Sequence, residues 1–194
     1  MTTIVTILTD GYADWETALL NAVARGYYGV DTRFATPGGR PVTSAGGLSI
    51  VPDLAIEAID PKAIDALVVN GGTAWSKPDA PDIGPTLTAC QDAGTIVAGI
   101  CDGTLALART GLLDTIAHTA NGPGTLDASG YAGAQHYRDV PTAVRSDRII
   151  TAPGTAPVSF MVEVLDSLGR RDADLDFYVG LHRAEHLAPA ATAA

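Results

Sequence analysis

A cysteine at the end of an apolar stretch is the first residue in this sequence that suggests catalysis. Cys101 lies in the segment GICDG (residues 99–103), which follows an apolar run and precedes a stretch with helical spacing. Glycines two residues before and after the cysteine let backbone segments pack closely around a sharp strand-to-helix turn. Such a turn lifts the side chain out of the sheet and places it at a helix N-terminus, where free N–H groups favour a thiolate. The segment therefore predicts a cysteine nucleophile on a nucleophile elbow.

The second cysteine lies in a different setting. Cys90 belongs to the segment TLTACQDAG, which has helical spacing and no such turn, so it is predicted to be a small packed side chain. Two cysteines are too few for a secreted disulfide scaffold. The N-terminal residues MTTIVTILTDGY also lack the basic region of a signal peptide. We therefore expect a cytoplasmic location with a free thiol at Cys101.

Two other segments are expected close to Cys101, because each of them follows a predicted strand. Residues 10–16 follow the apolar run TIVTIL, and the Gly71-Gly72 pair follows ALVVN. In an open parallel sheet, ligands bind at the carboxyl ends of the strands. The three segments therefore indicate one site at one rim of the sheet.

The elements that would position this rim alternate along the chain. Apolar runs rich in β-branched residues are typical of buried parallel strands, and strands separated by helices imply an α/β, doubly wound fold with helices on both faces of a mostly parallel sheet. Asp14 is predicted to cap the first helix. We predict a single domain over residues 1–188 and a disordered tail at residues 189–194. The predicted strands are residues 3–8, 32–35, 66–70, 95–100 and 148–151, with a hairpin within 37–53 and helices at 15–28, 81–93, 102–110, 157–168 and 172–186.

Composition and charge exclude several classes of protein. Hydrophobic residues make up 46% of the 194 residues and charged residues 18%, which excludes a largely disordered chain. The net charge is −10, and no basic stripe is present to displace counterions from phosphates, so no nucleic acid or anionic membrane surface is expected as a partner. No apolar run approaches the ~20 residues of a membrane span.

The sequence gives little support for a metal or a cofactor. Residues 182–186 spell H-x-x-E-H, in which two histidines would share a helix face, but no convincing third ligand follows, so no metal is expected. The segment after the first strand, DGYADWE, has a single glycine, which is unlike a phosphate-binding loop. We therefore expect no nucleotide and no other cofactor.

Four segments of the chain resemble the DJ-1/PfpI superfamily, also called ThiJ/PfpI, whose fold is that of the class I glutamine amidotransferases. They are TDGYADWE, VVNGG, AGICDGTLALARTGLLD and IITAPGTAPVSFMVEVL, and the resemblance spans about residues 3–168. It implies a flavodoxin-like fold, a homodimer and a reactive elbow cysteine. It also implies that a glutamate from the loop after the first strand approaches that cysteine.

Matched residue by residue, the resemblance makes Cys101 the nucleophile and Glu16 the neighbouring carboxyl group. The backbone N–H groups of Gly72 and Asp102 would form an oxyanion pocket. A carboxylic acid kept protonated by burial beside a thiolate can donate a hydrogen bond and pass a proton. Glu16 could instead only stabilise the helix dipole, and Gly72 could be a turn glycine.

Other positions depart from the family pattern or leave alternatives open. Asp102 stands where PfpI-type proteases have a histidine, so the base of a protease is missing and a carboxylate adjoins the thiol, where like charge opposes thiolate formation. Relatives often have a histidine near the position of Asn121, and His118 lies shortly before it, so that either residue could face the pocket. His118 could equally be a capped histidine at a strand end. Trp15 and Trp75 could line the pocket or belong to the core or to an interface. The C-terminal H-x-E of the amidotransferases is absent.

These residues predict a cytoplasmic enzyme in which Cys101 attacks an electrophilic carbon of a small molecule and Glu16 carries the proton. The candidate reactions are hydration or hydrolysis of a C–N electrophile, and glyoxalase- or deglycase-type (lyase) chemistry on 2-oxoaldehydes. Peptidase activity ranks lower because Asp102 replaces the histidine. The alternative is a non-enzymatic redox or stress-response protein in which Cys101 is an oxidation sensor. A binding module whose ancestral site has decayed is a third possibility.

Overall fold

The protein is built around a central β-sheet. This computed structural model describes residues 1–187 of the chain. The strands, numbered in chain order, are β1 (Thr3–Ile7), β2 (Asp31–Thr36), β3 (Val42–Thr43), β4 (Ser49–Ile50), β5 (Leu54–Ala55), β6 (Ala66–Val69), β7 (Ile96–Ile100), β8 (Val144–Ser146) and β9 (Ile149–Ala152). Seven of them form one sheet in the order β5-β2-β1-β6-β7-β9-β8, in which only the β8–β9 pair is antiparallel. β3 and β4 pair with each other in a separate antiparallel hairpin. The predicted α/β fold with a mostly parallel sheet is confirmed.

Helices cover both faces of the sheet. Within residues 1–187 they are α1 (Asp14–Tyr28), α2 (Gly84–Asp92), α3 (Gly103–Arg109), α4 (Pro157–Ser167) and α5 (Ala173–Leu187). Side chains of α1, α4 and α5 form one buried cluster with the sheet, and those of α2 and α3 form another on the opposite face. Along β6, Ala66 and Val68 belong to the first cluster and Leu67 and Val69 to the second, as the alternation of side chains along a strand requires. Both faces of the sheet are therefore buried under helices, which explains the continuous apolar runs of the parallel strands.

The predicted strands and helices all occur, although their ends differ by up to a few residues. The edge strands β5 and β8 were not predicted, because they are very short and lie in turn-rich sequence. The prediction of Asp14 as N-cap is wrong, since Ala13 takes that position and Asp14 begins the helix. The Asp14 carboxylate instead accepts the Gly46 N–H at 2.8 Å, which ties the β3–β4 hairpin to the start of α1. Residue 188 and the predicted tail, residues 189–194, lie outside the described residues.

The carboxyl ends of four neighbouring strands meet at one rim of the sheet. β6 lies between β1 and β7, and β9 lies on the other side of β7. Four residues follow these strands at the rim: Glu16, Gly71, Cys101 and Gly154. Among the helices described, none is both long and apolar enough to cross a membrane.

Candidate active site

Cys101 occupies a backbone conformation that residues other than glycine rarely adopt. It directly follows β7, and its φ of 55° lies in the left-handed region, which costs an L-residue roughly 1–2 kcal/mol. The Cys101 N–H donates to the carbonyl of Ala152 in β9 at 2.9 Å, and the Cys101 carbonyl accepts the Thr104 N–H at 3.1 Å and the Thr104 hydroxyl at 2.6 Å. These bonds hold the strained strand-to-helix turn in place.

The glycine that follows the elbow allows it to pack tightly against the neighbouring strand. A Cβ atom on Gly103 would overlap the carbonyl oxygen of Val69, the last residue of β6. Only glycine therefore lets the start of α3 approach β6 so closely. This is the close packing that the GICDG pattern predicts.

The carboxyl group of Glu16 lies beside the Cys101 side chain. Glu16 is in the first turn of α1 and has no exposed surface. Its Oε2 accepts the backbone N–H of Gly71 at 2.8 Å. Its Oε1 is buried and has no hydrogen-bond partner of standard geometry among residues 1–187. A buried carboxyl oxygen without a donor is costly to keep ionised, so Oε1 is the natural place for a proton.

The electrostatics of the pair disfavour the ionisation of both groups together. Burial raises the pKa of Glu16 to about 7, and the charge of Asp102 acts in the same direction, whereas the neighbouring Cys101 thiol and the Gly71 N–H lower it. Burial raises the pKa of Cys101 to about 12, and an ionised Glu16 contributes to this shift. Above pH 7 the pair therefore holds one proton and one negative charge, and below pH 7 it holds two protons. The sequence predicts that the helix N-terminus favours a thiolate, but burial and Glu16 outweigh that effect.

Gly71 and Gly154 form the walls of the gap that contains the carboxyl group and the sulfur. A Cβ atom on Gly71 would overlap Glu16 Oε2 and lie 2.6 Å from the Cβ of Cys101. One on Gly154 would lie 2.8 Å from the Cys101 sulfur and 3.0 Å from Glu16 Oε1. Sequence reasoning missed both roles. Gly154 follows a strand end as Gly71 does, and that shared position is the signal that could have found it.

The two predicted backbone donors differ in how the structure places them. The Asp102 N–H donates a hydrogen bond to Cys101, which lowers the thiol pKa against the larger effect of burial. Gly72 forms an isolated antiparallel bridge with Tyr12, and a Cβ atom on Gly72 would lie closest to Tyr12 and Gly11 in the loop after β1. The Gly72 donor role stays a prediction.

Asn121 is the predicted pocket residue that contacts the sulfur. Its Nδ2 donates to Cys101 Sγ at 3.2 Å and to Asp102 Oδ1 at 3.1 Å. Its Oδ1 accepts the Gly154 N–H at 2.9 Å. Burial raises the pKa of Asp102, and the Asn121 amide lowers it. The amide therefore bridges three of the residues that surround the site.

The structure packs His118 between two tyrosines. The ring has no exposed surface, and its Nδ1 lies 2.9 Å from the carbonyl oxygen of Ile116. It meets the rings of Tyr131 and Tyr137 edge-on, with centroids 5.5 and 5.8 Å away. Burial lowers the pKa of His118, so the ring is neutral at pH 7. These contacts are those of a packed histidine.

The two tryptophans lie in opposite environments. Trp75 has no exposed surface and donates its Nε1–H to the carbonyl of Asn70 at 2.8 Å, as a core residue does. Trp15 is 58% exposed and donates its Nε1–H to the carbonyl of Gly154 at 3.2 Å. Trp15 is therefore the aromatic residue at the edge of the gap.

The described part of the chain shows no assembled metal site. No group of three or more His, Cys, Asp or Glu side chains in residues 1–187 is arranged to hold a metal ion. In the H-x-x-E-H segment, the ring of His182 packs edge-on against Tyr178, with centroids 4.9 Å apart.

Comparison with known proteins places this geometry in context. A family model described as the DJ-1/PfpI family matches residues 2–167. The "Uncharacterized protease YoaZ" of Bacillus subtilis is 37% identical over 133 residues, which are 66% of this chain but only 61% of that protein, less than two thirds of its length. The "Glutathione-independent glyoxalase DJR-1.2" of Caenorhabditis elegans is 31% identical over 143 residues, or 72% of this chain and 74% of that protein. The crystal structure of DJ-1 superfamily protein Atu0886 from Agrobacterium tumefaciens has 46% identity and a TM-score of 0.91, and the match covers 96% of this chain and 100% of that one. The flavodoxin-like fold predicted from the resemblance is confirmed by this structural match.

Proposed function

The chain belongs to the DJ-1/PfpI family, and on this premise we propose that it is a cysteine-dependent enzyme acting on a small electrophilic substrate. The observation that carries the proposal is the Glu16 carboxyl group beside the Cys101 thiol, in a gap that only glycines at 71 and 154 leave open. A buried carboxyl group with a pKa of about 7 is matched to proton transfer at neutral pH. A cysteine that only packs in the core would not require a buried carboxyl group beside it, and burying that group is costly.

A 2-oxoaldehyde is the substrate class that we infer first. The Glu16 carboxylate takes the thiol proton, the Cys101 sulfur forms a C–S bond with the aldehyde carbon, and the π electron pair of the carbonyl moves to oxygen. The oxygen then takes the proton from Glu16, which gives a hemithioacetal. The backbone N–H groups of Asp102 and Gly72 would stabilise the developing oxyanion.

The remaining steps need only a proton carrier and water. Glu16 removes the proton from the carbon bonded to sulfur, the electron pair of this C–H bond forms the C=C bond of an enediol, and Glu16 passes the proton to the neighbouring carbonyl oxygen. Glu16 then takes the hydroxyl proton of the sulfur-bearing carbon and delivers it to the neighbouring carbon, which gives the thioester of a 2-hydroxy acid. Water hydrolyses the resulting thioester, which frees Cys101 and releases a 2-hydroxy acid. One carbon is oxidised while its neighbour is reduced, so the reaction balances without an external oxidant.

Two observations support this class over peptide hydrolysis. One relative is named a glyoxalase, while the two relatives named as proteases carry the word "uncharacterized" in their names. The sulfur is contacted by the amide of Asn121, which cannot act as a base, and His118 is packed against tyrosines. Hydration or hydrolysis of a C–N electrophile uses the same nucleophile and is the competing outcome.

The experiment is a turnover screen of the purified protein with methylglyoxal, a small amide and an isonitrile, with products identified by mass spectrometry. We expect conversion of methylglyoxal to lactate. Cys101→Ala should abolish it, whereas Cys90→Ala is the matched control and should retain it, because Cys90 is fully buried in α2. Turnover that persists in Cys101→Ala, or none with any compound, would overturn the proposal.

A redox sensor is the second candidate. It is favoured by the partial exposure of Cys101, since Cys90, the other cysteine, is buried. A sensor would show no turnover but would gain oxygen atoms at Cys101 selectively under mild peroxide. Mass spectrometry of both cysteines distinguishes the two functions. The homodimer and the cytoplasmic location stay predictions, and sedimentation equilibrium would test the first.

A further inference from the structure

The position of Asn121 is fixed by hydrogen bonds on the two residues just before it, one of which is fully buried. The Thr119 N–H donates to the hydroxyl of Thr151 in β9 at 2.9 Å, inside the core. The Tyr137 hydroxyl donates to the carbonyl of Ala120 at 3.3 Å. Asn121 therefore enters the site from a segment anchored to the sheet, although its own side chain reaches an exposed position.

The direction of the Asn121 amide follows from one neighbour that can only donate. A backbone N–H has no lone pair to offer, so the N–H of Gly154 must meet the amide oxygen. The NH2 group then necessarily faces the Cys101 sulfur and the Asp102 carboxylate. Its two hydrogens serve one acceptor each.

We propose that Asn121 is a catalytic residue whose uncharged amide stabilises the Cys101 thiolate with one hydrogen and binds the adjacent Asp102 carboxylate with the other. This inference rests on the proposed function, since it concerns the same nucleophile. Hydrogen bonds to ionised acceptors are stronger than those to neutral ones, so the amide stabilises the thiolate more than the thiol. It therefore lowers the energy of the attacking species rather than that of the resting one.

The charged groups around the amide explain why a neutral donor matters here. Glu16 approaches from α1, Asp102 follows β7, and Asp139 lines a cavity of about 260 Å³ together with Asn121. All three are carboxyl groups, so none of them can bring a positive charge to the sulfur. His118, the nearest histidine along the chain, is buried and has a lowered pKa. Among the groups that shift the pKa of Cys101, the Asn121 amide and the Asp102 N–H are those that lower it.

The test is the rate of alkylation of Cys101 by iodoacetamide as a function of pH, followed by mass spectrometry. This readout needs no substrate. Asn121→Ala should slow alkylation above pH 7 by about tenfold or more, because a hydrogen bond to a charged group is lost. Asn121→Asp should be at least as slow, because a carboxylate would then face the sulfur. Both variants should raise the apparent thiol pKa.

Gln135→Ala is the matched control. It removes an exposed amide whose side-chain partner is His136, on the same stretch of chain, and should leave the rate unchanged. Thermal unfolding of each variant shows whether it folds, and Cys90 gives the background rate of a buried thiol in the same molecule. A wild-type alkylation profile in folded Asn121→Ala and Asn121→Asp would overturn the inference.

The two proposals fail in distinguishable ways. If wild type turns over substrate while Asn121→Ala alkylates normally, this inference fails and the enzyme function stands. If wild type turns over nothing while Asn121→Ala alkylates slowly, the enzyme function fails and the action of the amide on the sulfur stands.

Discussion

Gly154 lies so close to Cys101 that a Cβ atom on the glycine would be 2.8 Å from the cysteine sulfur. Real Cβ atoms essentially never come that close to another heavy atom. The same imagined atom would be 3.0 Å from the Oε1 of Glu16. The nucleophile and its proton acceptor therefore border a space at Gly154 that is too small for one added methyl group.

Gly154→Ala should reduce kcat/KM by at least about tenfold, because the new methyl group must displace the sulfur, the carboxyl group or both. The φ of Gly154 is not in the left-handed region, so alanine fits the backbone. Gly26→Ala is the matched control. A Cβ there has no heavy atom outside its own helix within 4 Å, and the change should stabilise α1 by roughly 0.5–1 kcal/mol with unchanged activity. Equal activity in both variants would show that the gap is not the site of reaction.

The activity should depend on pH through Glu16. Burial raises the pKa of Glu16 to about 7, and the carboxylate must be free of its proton to accept the thiol proton. We therefore expect kcat/KM to fall as the pH is lowered through about 7. Glu16→Gln should be slow and should lose this transition. A profile that keeps the same midpoint in Glu16→Gln would assign the transition to another group.

The same burial predicts a stability effect of opposite sign. The folded-state pKa of Glu16, about 7, is above its ordinary value of 4.5, so the folded state binds this proton more tightly. The wild type therefore loses stability as the pH rises from 4.5 through 7, up to about 3 kcal/mol. Glu16→Gln avoids this loss and should gain stability relative to wild type between about pH 5 and pH 8. Urea unfolding measures the difference. A variant less stable than wild type at pH 8 would instead indicate a helix-dipole role for Glu16.

The left-handed backbone of Cys101 distinguishes two otherwise similar inactive variants. Cys101→Ala keeps the Cβ atom and therefore the strain at φ 55°, whereas Cys101→Gly removes it. The glycine variant should be more stable by roughly 0.5–1 kcal/mol, after the larger chain entropy of unfolded glycine is allowed for. Differential scanning calorimetry of the two proteins checks this. A more stable alanine variant would show that the elbow holds no strain.

The nucleophile and the sheet were accessible to sequence reasoning because they depend on local patterns. Apolar runs located all five of the longer parallel strands, and the glycine spacing around Cys101 identified the elbow. The strand-end positions of Gly71 and Gly154 can be predicted from the sequence, but their contacts with Cys101 and Glu16 cannot, because those contacts join segments far apart in the chain. The predicted role of Asp14 was wrong for the same reason, because its carboxylate binds Gly46 on the hairpin instead of capping its own helix. The orientation of Asn121 likewise depends on Gly154.

Glu16, Gly71, Cys101 and Gly154 come from four separate connections of the sheet, each following a different strand. No short contiguous fragment of the chain contains them all, so the site exists only when β1, β6, β7 and β9 are aligned together. Non-local pairings of this kind form slowly and cooperatively during folding. The environment of the Cys101 thiol should therefore be acquired in the last kinetic phase of refolding, after helices have formed. In a stopped-flow refolding experiment, the rate at which a thiol reagent modifies Cys101 would then report when the sheet is complete.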